Sequence, residues 1–163
     1  MFGKVEHELE MHAPASEVWD LYGGLQLGKV VVAELPQMFE KVDLIQGDGG
    51  PGTVLKLTFA PGVLVPESTS NKEKFTKVDN KKRIKETEVI EGGYLDLGFT
   101  LFRVRFEVTE KGEESSILKS TIEYEVKEEN TSNASLVSVQ PLVVLAEFGK
   151  TYLNKNKAAK ETN

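Results

Sequence analysis

The sequence contains no cysteine and only two histidines among its 163 residues. Without cysteine there is no disulfide bond, no thiol nucleophile and no cysteine metal site, and this composition suits a reducing compartment such as the cytoplasm. His7 and His12 lie five residues apart on a segment of alternating pattern, so they fall on opposite faces of a strand and cannot jointly ligate a metal there. The residues therefore predict no metal site.

The sequence is also short of positive charge. It has 20 basic and 26 acidic residues, a formal net charge of −6, and so lacks the field that attracts nucleic acid or an anionic membrane. The N-terminal stretch "MFGKVEHELEM" is charged from its start, so we expect neither a signal peptide nor a membrane span. We predict a single domain over residues 1–163, with a flexible tail from about Asn154.

Glycine is concentrated in one place, the stretch "IQGDGGPGTVLK" at residues 45–56. A phosphate-binding loop needs its glycines to lead into a helix, followed by Lys and Ser or Thr. Here they lead into "TVLKLTFAP", in which Thr53, Leu55, Leu57 and Phe59 alternate with a second set of side chains, as in a strand. The pattern therefore favours a hairpin turn with positive φ angles over a nucleotide site.

Most of the chain has the pattern of one-sided strands. The first segment, "KVEHELEMH", alternates strictly, and two short helices follow, one after Pro14 and one over about residues 25–35. Six further strands are predicted near 38–46, 53–60, 70–78, 82–91, 94–109 and 115–126. Strands with one polar and one apolar face indicate an antiparallel sheet that is covered on one side.

The covering element is predicted from "TSNASLVSVQPLVVLAEFGKTYLNK", which has a broad apolar face. We expect one long helix, interrupted or kinked near Pro141. The fold class is therefore α+β: a curved seven-stranded antiparallel sheet wrapped around a long C-terminal helix, with two short helices after the first strand.

Several stretches resemble one plant family. "GDGGPGT", "KEKFTKVDNKKRIKETEVIEGGYLDLGFT" and "SSILKSTIEYEVK" are similar to the birch-pollen-allergen-like superfamily (pathogenesis-related class ten), and in particular to its norcoclaurine synthase branch. The resemblance covers about residues 3–153. It implies a helix-grip fold with a large internal apolar cavity.

The resemblance also implies an activity. Norcoclaurine synthase condenses dopamine with 4-hydroxyphenylacetaldehyde in a Pictet–Spengler reaction, through an iminium that the catechol ring attacks. This chemistry needs proton transfers and no cofactor. The lysine that relays protons corresponds to Lys85, and the glutamate that takes the ring proton corresponds to Glu73.

Two positions depart from the pattern of that branch. A tyrosine two residues before the glutamate is replaced by Asn71, and an aspartate on the strand after "YLDLG" is replaced by Val104. Asn71 can still donate a hydrogen bond, whereas Val104 cannot stabilise a cation. The segment "PGVLVPESTSNKEKF" is also about three residues longer, which alters one wall of the expected pocket. We expect the substrate to contact six residues: Asn71, Phe75, Phe102, Val104, Tyr124 and Phe148.

The residues alone leave two alternatives open. A loop of three or five residues through "DNK" places Lys85 and Glu73 on one face, whereas a two-residue loop separates them. The alternative to a pair inside the cavity is that both side chains belong to a charged, solvated hairpin. Function is likewise open between an enzyme and a carrier that binds phenolics, alkaloids or hormones in the same cavity. In either case we expect a small aromatic or apolar ligand, no nucleic acid or membrane partner, and a monomer or weak dimer.

Overall fold

The computed structural model describes residues 1–63 and 69–162. These described residues form a seven-stranded sheet, three α-helices and two short 3-10 segments. In chain order the elements are β1 (Phe2–Glu10), α1 (Ala15–Tyr22), α2 (Gln26–Glu34), β2 (Phe39–Gln46), β3 (Val54–Phe59), β4 (Ser70–Asp79), β5 (Ile84–Gly92), a 3-10 helix (Gly93–Leu97), β6 (Phe99–Gly112), β7 (Ser115–Val126), a 3-10 segment (Glu128–Leu136) and α3 (Gln140–Thr162).

All neighbouring strands of the sheet are antiparallel, in the order β1-β7-β6-β5-β4-β3-β2. The sheet curves around α3, and register shifts in the β2–β3, β4–β5 and β6–β7 pairs contribute to this curvature. The predicted fold class is confirmed. No described helix has the length and the apolar character needed to cross a membrane.

One predicted strand begins later than expected. Residues 94–97 belong to a 3-10 helix, and β6 starts only at Phe99. The reason is local backbone geometry, because Gly92, Gly93 and Gly98 all have positive φ angles, which end β5 and re-aim the chain before β6.

The glycine-rich loop joins β2 to β3 as a hairpin connection. Gly47, Gly49 and Gly52 have φ angles of 94°, 106° and 91°, as the hairpin interpretation requires. Two amide groups of the loop have partners within the protein: Gly49 N donates to Thr53 Oγ1 at 2.8 Å, and Gly52 N donates to Phe75 O at 2.8 Å. A strand follows the loop and pairs with β2, so the predicted hairpin turn is confirmed.

The C-terminal helix is shorter at its start than the sequence suggested. We expected a helix interrupted near Pro141, but α3 begins at Gln140 and Pro141 lies in its first turn, where a missing N–H costs nothing. Leu136 precedes the helix and is 42% exposed, so it does not extend the apolar face. The helix continues past Asn154 to Thr162, and the flexibility of that tail stays a prediction. Residues 64–68 of the longer segment "PGVLVPESTSNKEKF" lie outside the described residues.

Helix α3 is held to α1 by a close contact at Gly149. Tyr22 is fully buried, and its hydroxyl donates to Leu145 O at 2.5 Å. A Cβ atom on Gly149 would lie 1.9 Å from Tyr22 Oη, so only glycine permits this approach. The contact fixes the C-terminal end of α1, where backbone carbonyl groups accept hydrogen bonds from Lys85.

We expect Gly149→Ala to destabilise the protein by about 1–3 kcal/mol, because the added methyl group overpacks a buried contact. For a chain of this length, that corresponds to a drop of roughly 3–10 °C in the melting temperature. Gly112→Ala is the control, since no atom lies within 4 Å of its added Cβ. Equal melting temperatures for the two variants in differential scanning calorimetry would contradict this role of Gly149.

Candidate active site

A partly open cavity of about 130 Å³ lies between the concave face of the sheet, α2 and the start of α3. Its walls are mostly apolar, with contributions from Leu27 and Val31 on α2, and Phe102 and Phe106 on β6. Lining side chains that carry polar atoms are few and mostly grouped on β4 and β5; they are Asn71, Glu73, Lys85, Thr87 and Ser138. The volume suits about one aromatic ring.

The register of the β4–β5 hairpin brings Lys85 and Glu73 to the same face. The loop has four residues, 80–83, instead of the three, five or two considered from the sequence, and Val78 pairs with Lys85. A bulge at Thr76 then restores the alternation, so that Phe75 pairs with Thr87 and Glu73 with Val89. Both charged side chains therefore line the cavity, and neither belongs to a solvated hairpin face.

Lys85 is 5% exposed and its ammonium group is held by the end of α1. Nζ donates to Gly24 O at 2.9 Å and to Tyr22 O at 3.2 Å. These carbonyls lie at and just beyond the last turn of α1, where backbone acceptors have no partner within the helix and the helix dipole favours a cation. Nζ also lies 4.0 Å from the centroid of the Phe75 ring, whose face attracts the charge.

Burial lowers the pKa of Lys85 from 10.5 to about 8, although the nearby Glu73 carboxylate acts in the opposite direction. The pKa of Glu73 shifts in the opposite direction, because burial raises the pKa of its carboxyl group. The charge of Lys85 and a hydrogen bond with Thr87 partly offset that rise. Glu73 keeps some accessible surface, but it lines the apolar cavity. The two groups thus have pKa values displaced toward neutrality, which suits proton transfer near physiological pH.

Of the six residues expected to contact substrate, three line the cavity: Asn71, Phe102 and Val104. The other three are not among the lining residues. Phe75 is fully buried beneath Lys85, Tyr124 packs over Gly3 and contacts Phe99, and Phe148 stacks on Tyr152 with the ring centroids 5.8 Å apart. Contact between these three side chains and a substrate stays a prediction.

Sequence reasoning missed the groups that anchor the lysine. They lie in the stretch "LYGG" at the end of the first short helix, where the carbonyls of Tyr22 and Gly24 are the hydrogen-bond acceptors for Lys85. A signal was present, because a helix that ends at a glycine pair leaves carbonyl groups in need of a donor. The hydrogen bond between Thr87 and Glu73 was also missed.

Comparison with known sequences identifies the family. The model of the pathogenesis-related protein Bet v 1 family matches residues 1–149. Norbelladine synthase of Narcissus pseudonarcissus is 42% identical over 158 residues, covering 97% of this chain and 96% of that protein. S-norcoclaurine synthase of Thalictrum flavum subsp. glaucum is 42% identical over 144 residues, covering 88% of this chain and 67% of that protein.

Comparison with solved structures agrees. A point mutant of Thalictrum flavum norcoclaurine synthase in complex with a transition-state analogue superposes with a TM-score of 0.86 at 39% identity, covering 96% of this chain and 97% of the other. The same enzyme in complex with dopamine and hydroxybenzaldehyde gives a TM-score of 0.83 at 38% identity, covering 95% and 88%. The chain belongs to the pathogenesis-related protein Bet v 1 family, and its relatives include norcoclaurine synthases.

Proposed function

We propose that the protein condenses an arylethylamine, such as dopamine, with an aryl aldehyde through an iminium, with Lys85 and Glu73 as its proton-transfer groups. The observation that carries this proposal is the placement of both side chains in one apolar cavity, with pKa values shifted in opposite directions. The relatives named above support the substrate class, because norcoclaurine synthase has been solved with dopamine and hydroxybenzaldehyde bound.

The first step forms the iminium. The amine nitrogen adds to the aldehyde carbon to give a carbinolamine, and Lys85 then donates a proton to its hydroxyl group, which leaves as water. A pKa of about 8 leaves Lys85 protonated at neutral pH yet a stronger acid than an exposed lysine. The apolar walls favour this dehydration because they exclude bulk water from the reacting atoms.

The second step closes the ring. An aromatic carbon of the amine attacks the iminium carbon, the C–N double bond becomes a single bond, and the ring carbon then loses its proton to Glu73. Burial makes the Glu73 carboxylate a stronger base than an exposed glutamate. The overall reaction is amine plus aldehyde to cyclic amine plus water, so no oxidant enters. The proton that Glu73 gains equals the one that Lys85 loses, and its return to Lys85 restores the resting state.

A carrier protein is the second candidate, and the residue at position 104 favours it. Val104 offers no charge to the iminium, and about 130 Å³ holds only one ring, so binding two aromatic molecules requires the lining side chains to move apart. A carrier needs only the apolar walls and an anchor for one polar group, which Lys85 supplies.

One assay separates the two functions. The protein is incubated with dopamine and 4-hydroxyphenylacetaldehyde, and the cyclic product is quantified by chiral chromatography against buffer alone. An enantiomerically enriched product above the background rate supports the enzyme. Racemic product at the background rate, together with ligand binding that survives replacement of both Lys85 and Glu73, would contradict the proposal and favour the carrier.

We expect Val104→Asp to raise the rate of ring closure by about 10-fold or more, because a carboxylate there stabilises the cationic iminium. Position 104 pairs with Thr87, the hydrogen-bond partner of Glu73, so the new charge would lie beside the reacting groups. The measurement is the ratio of cyclised to uncyclised product. Val104→Asn has the same shape without the charge and is the control, and equal ratios in the two variants would show that the charge has no such effect.

A further inference from the structure

The amide of Asn71 is a buried polar group without a complete set of partners. Asn71 is 8% exposed, and its Oδ1 atom is buried with no hydrogen-bond partner among the described residues. Four other described side chains have such an atom: His7, Arg103, Ser120 and Thr121. Asn71 alone among these five lines the cavity. Oδ1 is therefore an unpaired acceptor on a residue of the cavity wall, and rotation of the amide would turn it toward a ligand.

The surroundings of Asn71 explain why no described residue satisfies the amide oxygen. Asn71 pairs with Gly92 on β5 and with Leu57 on β3, neither of which has a polar side chain. A Cβ atom on Gly93 would lie only 3.1 Å from Asn71 Nδ2, so the glycine leaves the room that the amide occupies. The result is a polar group framed by glycine backbone and apolar side chains at one end of the cavity.

We propose that Asn71 is a specificity-determining residue that binds a phenolic hydroxyl group of the ligand. A hydroxyl group both donates and accepts, so it pairs with the amide oxygen or with the amide NH₂ group, and rotation about the Cβ–Cγ bond exchanges the two. A cation or a carboxylate would use only one of these capacities. This inference rests on the proposed function only for the class of ligand, since hydroxylated rings are common to the amine and the aldehyde.

The spacing along β4 gives the ring an orientation. Asn71 and Glu73 are two residues apart on one face, which separates their Cα atoms by about 6.6 Å. This separation is comparable to the length of a para-hydroxyphenyl group. A ring whose hydroxyl group contacts Asn71 therefore presents its opposite edge toward Glu73. Asn71 acts by binding and orienting the ring, and Glu73 retains the proton transfer.

The test compares ligands that differ by one hydroxyl group, each added alone so that no turnover is needed. The amine arm uses tyramine and phenethylamine, and the aldehyde arm uses 4-hydroxybenzaldehyde and benzaldehyde. Dissociation constants are measured by NMR titration for the wild-type protein and for Asn71→Leu, which keeps the branching at Cγ without the amide. The wild-type protein is expected to bind the hydroxylated member about 5- to 30-fold more tightly in at least one arm, the gain of one buried hydrogen bond.

In Asn71→Leu this preference is expected to fall to about one, while the unsubstituted ligand binds as before. A loss in the amine arm assigns the hydroxyl group to the amine, and a loss in the aldehyde arm assigns it to the aldehyde. An unchanged preference in both arms overturns the inference. The variant is expected to fold, because it replaces an unsatisfied buried amide with an apolar group. A negative result in the NMR titration does not change the outcome of the chiral product assay, so the two proposals are tested separately.

Discussion

Replacing Lys85 with methionine is expected to lower the rate of iminium formation by about 10²- to 10⁴-fold, the usual contribution of a positioned general acid. Methionine preserves an unbranched apolar stem but cannot donate a proton to the carbinolamine. Glu73→Gln is expected to act at the later step, so that the iminium forms but the cyclic product does not accumulate. The two variants therefore differ in which intermediate they leave behind, as measured by rapid quench and mass spectrometry.

The matched controls lie on the same hairpin but face outward. Lys72 forms an ion pair with Glu91 at 3.1 Å, and Glu88 pairs with Arg103 on the outer face of β5. Lys72→Met and Glu88→Gln should retain wild-type rates. Equal losses in the inward and outward variants would mean that charge in general, and not the two cavity groups, sustains the reaction.

The pH dependence of the wild-type rate follows from the same two groups. Glu73 must be ionised to accept the ring proton, so the rate should rise with pH through its pKa, which burial raises above the ordinary 4.5. Lys85 must be protonated to act as an acid, so the rate should fall again near pH 8. In Lys85→Met the descending limb near pH 8 should disappear from the residual activity.

The buried charge of Lys85 is also expected to lower the free energy of unfolding at neutral pH by about 3 kcal/mol. Its pKa is 10.5 when solvated and about 8 in the folded protein, and each unit corresponds to about 1.4 kcal/mol. Below pH 8 both states carry the proton and the folded state bears the whole penalty. Between pH 8 and 10.5 only the unfolded state binds the proton, so the free energy of unfolding should rise with pH.

Lys85→Met removes that penalty but leaves the carbonyls of Tyr22 and Gly24 without their donor, a loss of about 1–2 kcal/mol. We therefore expect the variant to be more stable than the wild-type protein by about 1–2 kcal/mol at pH 7. The difference should vanish or reverse by pH 10.5. Urea unfolding at a series of pH values measures it, with the exposed-loop variant Lys81→Met as the control. A wild-type minus variant difference that stays constant from pH 7 to 10.5 would contradict the linkage.

The sequence predicted the fold well because its main signals are local. Strict alternation in β1 and in "FRVRFEV" identifies one-sided strands, and the glycines of residues 47–52 lead into a strand instead of a helix. These patterns depend on neighbours within a few residues. The order of elements then leaves few arrangements other than a sheet that covers its apolar face with the terminal helix.

The site was harder to predict because its geometry depends on contacts between distant segments. The bulge at Thr76 compensates for a four-residue loop, and neither feature has a distinct sequence signal. The acceptors for Lys85 lie about 60 residues earlier in the chain, at the end of α1. The start of α3 was misplaced for a related reason: the apolar residues around Leu136 fit a helical pattern, but the backbone there forms 3-10 turns before Gln140.

The positions of the candidate residues relative to the cavity have a physical explanation. Asn71 on β4 and Phe102 and Val104 on β6 line the cavity. The alternation of side chains along each strand predicts this placement. Phe75 lies on the same face of β4 as Asn71, but Lys85 lies over its ring and covers it. The alternating pattern thus assigns a side chain to a face of the sheet. Whether that side chain reaches the cavity depends on which neighbouring side chain lies above it.

The most direct test of this account is the titration of the Lys85 side chain itself. Selective ¹³C labelling of lysine, with assignment by the Lys85→Met spectrum, gives the pKa from the Cε chemical shift. We expect a midpoint near pH 8 in the wild-type protein. A lower midpoint is expected in Glu73→Gln, because the carboxylate that favours the ammonium is then absent. A midpoint near 10.5 that does not respond to Glu73→Gln would contradict the central claim that these two groups form a coupled pair inside an apolar cavity.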